Sequence, residues 1–296
     1  MLIHFPQWLI LLVIFPFLFF SSCSSAPKRA DEIFTVRNTA VKQLNLANYN
    51  VSRGRYGDAL IILDDAWRLV LSTDDPPLRI KAATSRGNIL FFLGRQAEAF
   101  RVWESAAAEA DASGEAVLAA LARIYMIRAA LVQLANESGS GETTNAAAGE
   151  LRARLLPEMT AVSSDPLSNA AGYVTLGLAE KQLKRWTEAE NAVRRALDIH
   201  EKNRYLEDAA YDWFLIASIR SMAGNYDSAL MALNSAIRLD RRAENGFGLA
   251  SSWQAMGDVY QKAGRSEDSL KAYSRAAEIY RAIDLNDRAD KLEKQP

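Results

Sequence analysis

Few residues in this 296-residue chain carry chemistry of their own: there is one cysteine, Cys23, and there are two histidines, His4 and His200. Zinc sites draw chiefly on several Cys and His ligands, and Ser-His-Asp or Cys-His catalysis needs a histidine beside the nucleophile. His4 falls in an apolar leader, so His200 alone is left for such roles, and its setting reads as a polar position at a helix end. The segment Ser138-Gly-Ser-Gly-Glu-Thr-Thr144 lacks the Gly-Lys-Ser/Thr ending of a phosphate-cradling loop, and Gly246-Phe-Gly-Leu-Ala has no strand before it. Acidic pairs such as Asp64-Asp65, Asp74-Asp75 and Glu267-Asp268 fall at turns or outer helical faces, where carboxylates serve solvation. The residues therefore predict no catalytic group, no metal ligand and no cofactor site. With 35 Lys plus Arg against 36 Asp plus Glu, no strong field draws nucleic acid to the surface.

Cys23 does have a context. The first 22 residues contain no Asp, Glu, Lys or Arg, and Trp8 to Phe20 is apolar apart from Pro16. That run is shorter than the roughly 20 residues of a spanning helix and reads as the apolar region of a signal peptide. Phe20-Ser21-Ser22-Cys23 resembles the lipobox of bacterial lipoproteins, which implies cleavage before Cys23, acylation of its thiol and attachment to a membrane. Ser24, a non-acidic residue after the cysteine, implies delivery to the outer membrane, on its periplasmic face. The segments expected are a signal peptide over 1–22, a tether over 23–29 and a helical domain over 30–296.

The elements that make up the domain announce themselves by repetition. Gly54-Arg-Tyr-Gly-Asp-Ala59 recurs as Gly94-Arg-Gln-Ala-Glu-Ala99, Lys184-Arg-Trp-Thr-Glu-Ala189, Gly224-Asn-Tyr-Asp-Ser-Ala229 and Gly264-Arg-Ser-Glu-Asp-Ser269. Neighbouring copies stand 40 residues apart, except that 90 separate the second from the third. Seven residues before each string is a small residue (Ala47, Gly87, Gly177, Ala217, Gly257), and seven after it another (Ala66, Ala106, Ala196, Ala236, Ala276). Small side chains at fixed offsets mark places where two helices cross closely. The Gly that opens the string suits a left-handed residue after a helix C-terminus, and Lys184 departs from it.

These offsets resemble the tetratricopeptide repeat family. The resemblance implies an all-α, right-handed superhelix of antiparallel helix pairs, here an extended version with repeats of about 40 residues, near 40–73, 80–113, 170–203, 210–243 and 250–283. A degenerate unit over 115–162 carries a polar loop at 135–145, Pro157 should kink or end its second helix, and a charged segment, 284–296, caps the end.

The family's first helices line a concave groove. Carrying that over gives Asn48, Asn88, Phe91, Leu178, Tyr211, Phe214, Gln254 and Asp258 as a partner-binding wall. Leu44 and Ser85 stand where a carboxylate-clamping set has Lys and Asn, so no such clamp is expected. The function implied is that of a lipid-anchored adaptor that holds protein partners in the cell envelope, not an enzyme. The alternative is a ligand-binding accessory subunit of an envelope transporter, which requires an enclosed pocket.

Overall fold

The computed structural model describes residues 35–136 and 142–294; the leader, Cys23 and the tether lie outside the described residues, as do residues 137–141 of the expected loop. Among the described residues there are thirteen helices and no strand. They run as α1 (Thr35–Ser52), α2 (Tyr56–Ser72), α3 (Pro76–Phe92), α4 (Gln96–Ala112), α5 (Ala116–Asn136), α6 (Glu142–Ala161) and α7 (Pro166–Gln182). Then follow α8 (Trp186–Lys202), α9 (Leu206–Met222), α10 (Tyr226–Arg242), α11 (Gly246–Lys262), α12 (Ser266–Ala282) and the short α13 (Asn286–Glu293). Odd and even helices form six consecutive pairs, and α13 packs on α12.

Most helices are 17 residues long, or about 25 Å. Most of the turns between them share one construction. A single residue adopts positive φ, and the next N–H reaches back five residues, as in Arg55 N to Asn50 O at 2.9 Å and Arg95 N to Leu90 O at 2.9 Å. Gly54, Gly94, Gly224 and Gly264 take that position without strain. Lys184 takes it too, at φ 58°, and keeps the same bonds, with Arg185 N 2.9 Å from Glu180 O. A side chain there costs roughly 1–2 kcal/mol, which the packing of α7 against α8 offsets. Where proline begins a helix, an aspartate caps it: Asp75 accepts from Leu78 N at 3.1 Å and Asp165 from Ser168 N at 2.9 Å.

The third pair is the irregular one. Its helices are 21 and 20 residues long. Residues 135–136 and 142–145, expected in the loop, are helical, because apolar side chains on both flanks continue to find partners: Leu134 and Leu151 pack on the Ile124–Leu155 cluster. Pro157 lies inside α6, which ends one turn later at Ala161.

The core follows the small residues. Ala59, Ala99, Ala189 and Ala229 are fully buried where the two helices of a pair cross. Across from them, Gly87 faces Trp103, Gly177 faces Val193 and Gly257 faces Tyr273. Trp103 Nε1 donates to Thr84 O at 3.2 Å, which satisfies the polar atom of a ring that is otherwise buried. First helices also contact one another from pair to pair, α3 with α5, α5 with α7 and α9 with α11, and so form the inner wall.

Candidate functional site

The inner wall surrounds a cavity of about 550 Å3. Its lining comes from α1 to α5 and α9 to α11, residues from the beginning and the end of the array together. This happens because the first pair touches the last. Arg53 Nη1 donates to Glu244 O at 3.1 Å, the rings of Tyr56 and Phe247 meet edge to face at 6.3 Å, and Arg55 pairs with Asp284 at 3.8 Å. Gly54 permits the approach, since a Cβ there would lie 2.7 Å from the Phe247 ring.

One side of the cavity is aromatic. Tyr56 stacks on Phe92 at 5.0 Å, Phe92 meets Phe91 at 6.3 Å, and Phe91 lies 6.0 Å from Trp103. Opposite, Tyr211 stacks on Phe214 at 6.3 Å. The eight residues carried over as a groove wall divide. Asn88, Phe91, Tyr211 and Phe214 converge on the cavity, while Asn48, Leu178, Gln254 and Asp258 do not line it. Asn48 is exposed on α1. Leu178 fills the seam between two core clusters. Gln254 and Asp258 accept hydrogen bonds from tyrosines of α12, Tyr280 at 3.2 Å and Tyr273 at 2.6 Å.

Several lining residues were not read from the sequence: Tyr56, Phe92, Tyr125, Arg128 and Phe247. For Arg128 a signal existed. It lies 40 residues after Asn88, which itself lies 40 after Asn48, so the repeat register runs through the degenerate unit and puts a cation on the inner wall. Tyr56, by contrast, opens a second helix and reaches the cavity only because the array closes.

The cavity is polar around Arg128. The guanidinium lies 5.4 Å from the centre of the Tyr211 ring. Burial works against its charge, but Tyr211 and Tyr125 more than offset this and raise its pKa. Burial likewise pushes the Tyr125 phenol up, while Asn88 hydrogen-bonds to it. Three carboxylates also line the space, Glu207, Asp208 and Asp240. Asp240 is 3% exposed and accepts from Asn245 Nδ2 at 2.9 Å; burial raises its pKa to about 7.

His200 sits at a helix end, as the sequence reading has it, but with a partner that reading did not foresee. It lies in the last turn of α8, as a helix-end residue, but it is buried, with Nδ1 2.6 Å from Oδ2 of the fully buried Asp212 on α9. Burial opposes a charged imidazole, yet the Asp212 hydrogen bond and charge prevail and raise its pKa. The pair joins α8 to α9 and so links two helix pairs. Among the described residues no group of three or more His, Cys, Asp or Glu is arranged to hold a metal ion.

A search of curated proteins returned no match. The fold is that of solved tetratricopeptide-type structures. A Rap protein crystallised with competence and sporulation factor superposes with a TM-score of 0.56 at 14% identity, over 86% of this chain and 69% of that one. The apo form of RapI gives 0.49 at 12% identity over 86% and 94% of the two chains. A thermophilic tetratricopeptide protein of Thermus thermophilus gives 0.39 at 18% identity over 86% and 100%. The tetratricopeptide repeat family model matches residues 168–242 and again 208–282. Those matches cover α7 to α12, whose helix pairs are of the tetratricopeptide type, and the pairs before them continue the same antiparallel arrangement.

Proposed function

We propose that the protein is a lipid-anchored adaptor of the bacterial cell envelope, held at the periplasmic face of the outer membrane through Cys23, which receives a partner protein in the concave cleft. Tetratricopeptide folds serve protein–protein interaction, and their inner wall is the surface that partners meet. The observation that carries the reading here is convergence. Phe91, Tyr211 and Phe214, from two widely separated pairs, present aromatic rings to one cavity, with Asn88 beside them. Aromatic side chains supply large apolar contact at low entropic cost and dominate recognition surfaces. Membrane attachment is supported by the apolar leader and the Phe20-Ser21-Ser22-Cys23 string.

The test is site-specific photocrosslinking in intact cells. A crosslinking side chain at Phe214 should capture one protein reproducibly, and the same group at Met231, 70% exposed on α10, should not. Equal capture at both positions, or capture at neither, sinks the adaptor reading.

A second reading has its own support. Contact between residues 53–56 and 244–247 closes one side of the cleft, so a long helix lying along the superhelix axis is obstructed. A cavity of about 550 Å3 suits a compact ligand, as an accessory subunit of an envelope transporter would need.

A further inference from the structure

Arg128 differs from several arginines that bridge helices through a carboxylate. Arg79 reaches Glu109 at 2.5 Å, Arg220 reaches Glu190 at 2.7 Å, and Arg152 is bonded to Glu180. The neighbours of Arg128 are phenols: the Tyr211 ring at 5.4 Å and Tyr125 one turn before it on α5. No described carboxylate forms an ion pair with it, although Asp212 adds to the charges that favour its protonated form. Asp212 is committed to His200 at 2.6 Å, and Asp240 to Asn245 at 2.9 Å. A half-buried guanidinium facing an apolar cavity is poorly solvated, and an anion delivered to it gains a charge-assisted bond in a low-dielectric setting.

Two other acids face the same space. Glu207 and Asp208 lie in the first turn of α9, where the positive end of the helix dipole supports their charge. They disfavour a second anionic group on any ligand, so the site selects for one. Much of the remaining lining is apolar and aromatic, with Phe91, Trp103, Phe214 and Phe247 available to a hydrocarbon or aryl body.

We propose that the cleft holds a small apolar or aromatic molecule carrying a single carboxylate, with Arg128 as the residue that receives the carboxylate. This rests on the compact-ligand reading of the cleft. Arg128 binds the ligand and orients it, with its anion toward α5 and its body against the aromatic wall.

The experiment uses the full chain in detergent and three probes of one shape: 4-phenylbutyrate, its neutral amide and the corresponding amine. Affinities are read by calorimetry at neutral pH for the wild type, Arg128→Gln, Arg128→Lys and Phe214→Ala. The acid should bind the wild type about ten- to a hundredfold more tightly than the amide, the ratio expected for a charge-assisted bond. Arg128→Gln should erase that preference while leaving the amide's affinity unchanged, and Arg128→Lys should restore part of it. Phe214→Ala should weaken acid and amide alike. Equal binding of acid and amide by the wild type, or tighter binding of the amine, overturns the role of Arg128 while leaving the cleft as a ligand site. No binding of any probe overturns the proposal together with the compact-ligand reading.

Discussion

Replacing Gly177 by alanine tests the packing on which the array depends. A Cβ at Gly177 would lie 2.4 Å from Val193 Cγ2 and 3.2 Å from the backbone oxygen of Ala189. Carbon atoms pack best at about 3.5–4.0 Å, so α7 and α8 must separate by roughly 1 Å or Val193 must leave its rotamer. Neither is easy. Val193 is fully buried, and its β-branched side chain has one strongly preferred rotamer in a helix. Overpacking of this kind costs about 1–3 kcal/mol. Alanine returns up to about 1 kcal/mol through its higher helix propensity, so the net loss is smaller than the steric cost. Gly149, in α6, isolates that second effect: a Cβ there meets nothing within 4 Å, and Gly149→Ala should stabilise. The two variants should thus differ by about 1–3 kcal/mol in urea unfolding followed by circular dichroism. Adding Val193→Ala should relieve the Gly177→Ala penalty, giving a coupling energy of at least about 0.5 kcal/mol. If Gly177→Ala stabilises as much as Gly149→Ala does, the helices do not cross where the repeat places them.

Three further outcomes follow from the same structure. The folded-state pKa of Asp240 is raised from 3.8 to about 7, so the native state holds a proton that the unfolded chain releases; this contribution is full below pH 3.8 and is lost as pH rises through 7. Asp240→Asn, which keeps an acceptor for Asn245, should therefore gain stability over the wild type across that window and level off above it, by no more than about 4 kcal/mol. A gap between the two proteins that is the same at pH 4.5 and pH 8 would count against a desolvated carboxyl. Phe247→Ala removes the ring that meets Tyr56 and Gly54, and should speed amide hydrogen exchange at residues 53–56 at least several-fold while leaving the α7–α8 crossing protected; unchanged exchange would show that Phe247 does not hold the ends together. Cys23→Ala should abolish acylation and move the protein to the soluble fraction, and full retention at the membrane would mean that the apolar leader itself remains in place.

The sequence by itself determined the repeating unit. Ala47, Gly87, Gly177, Ala217 and Gly257 recur because a helix pair is held by contacts between residues close in the chain, so each pair writes its requirements locally. The turn before each second helix was legible for the same reason, and even Lys184 adopts the left-handed backbone that its register demands. The Phe20-Ser21-Ser22-Cys23 string, on which the proposed lipidation rests, is local too and lies outside the described residues. The candidate site was legible only in part. Asn88, Phe91, Tyr211 and Phe214 line the cavity, but Asn48, Leu178, Gln254 and Asp258, at related register positions, do not. Arg128 was legible only through its 40-residue spacing from Asn88, because the unit around it lacks the repeated string, and the pairing of His200 was not legible because its partner, Asp212, belongs to the next pair. The closure of Arg53 onto Glu244, across 191 residues, leaves no mark in the pattern at all. Only the tertiary structure decided these, because a superhelix adds a small rotation at every pair, and whether its ends meet depends on the sum of all those rotations and not on any one of them.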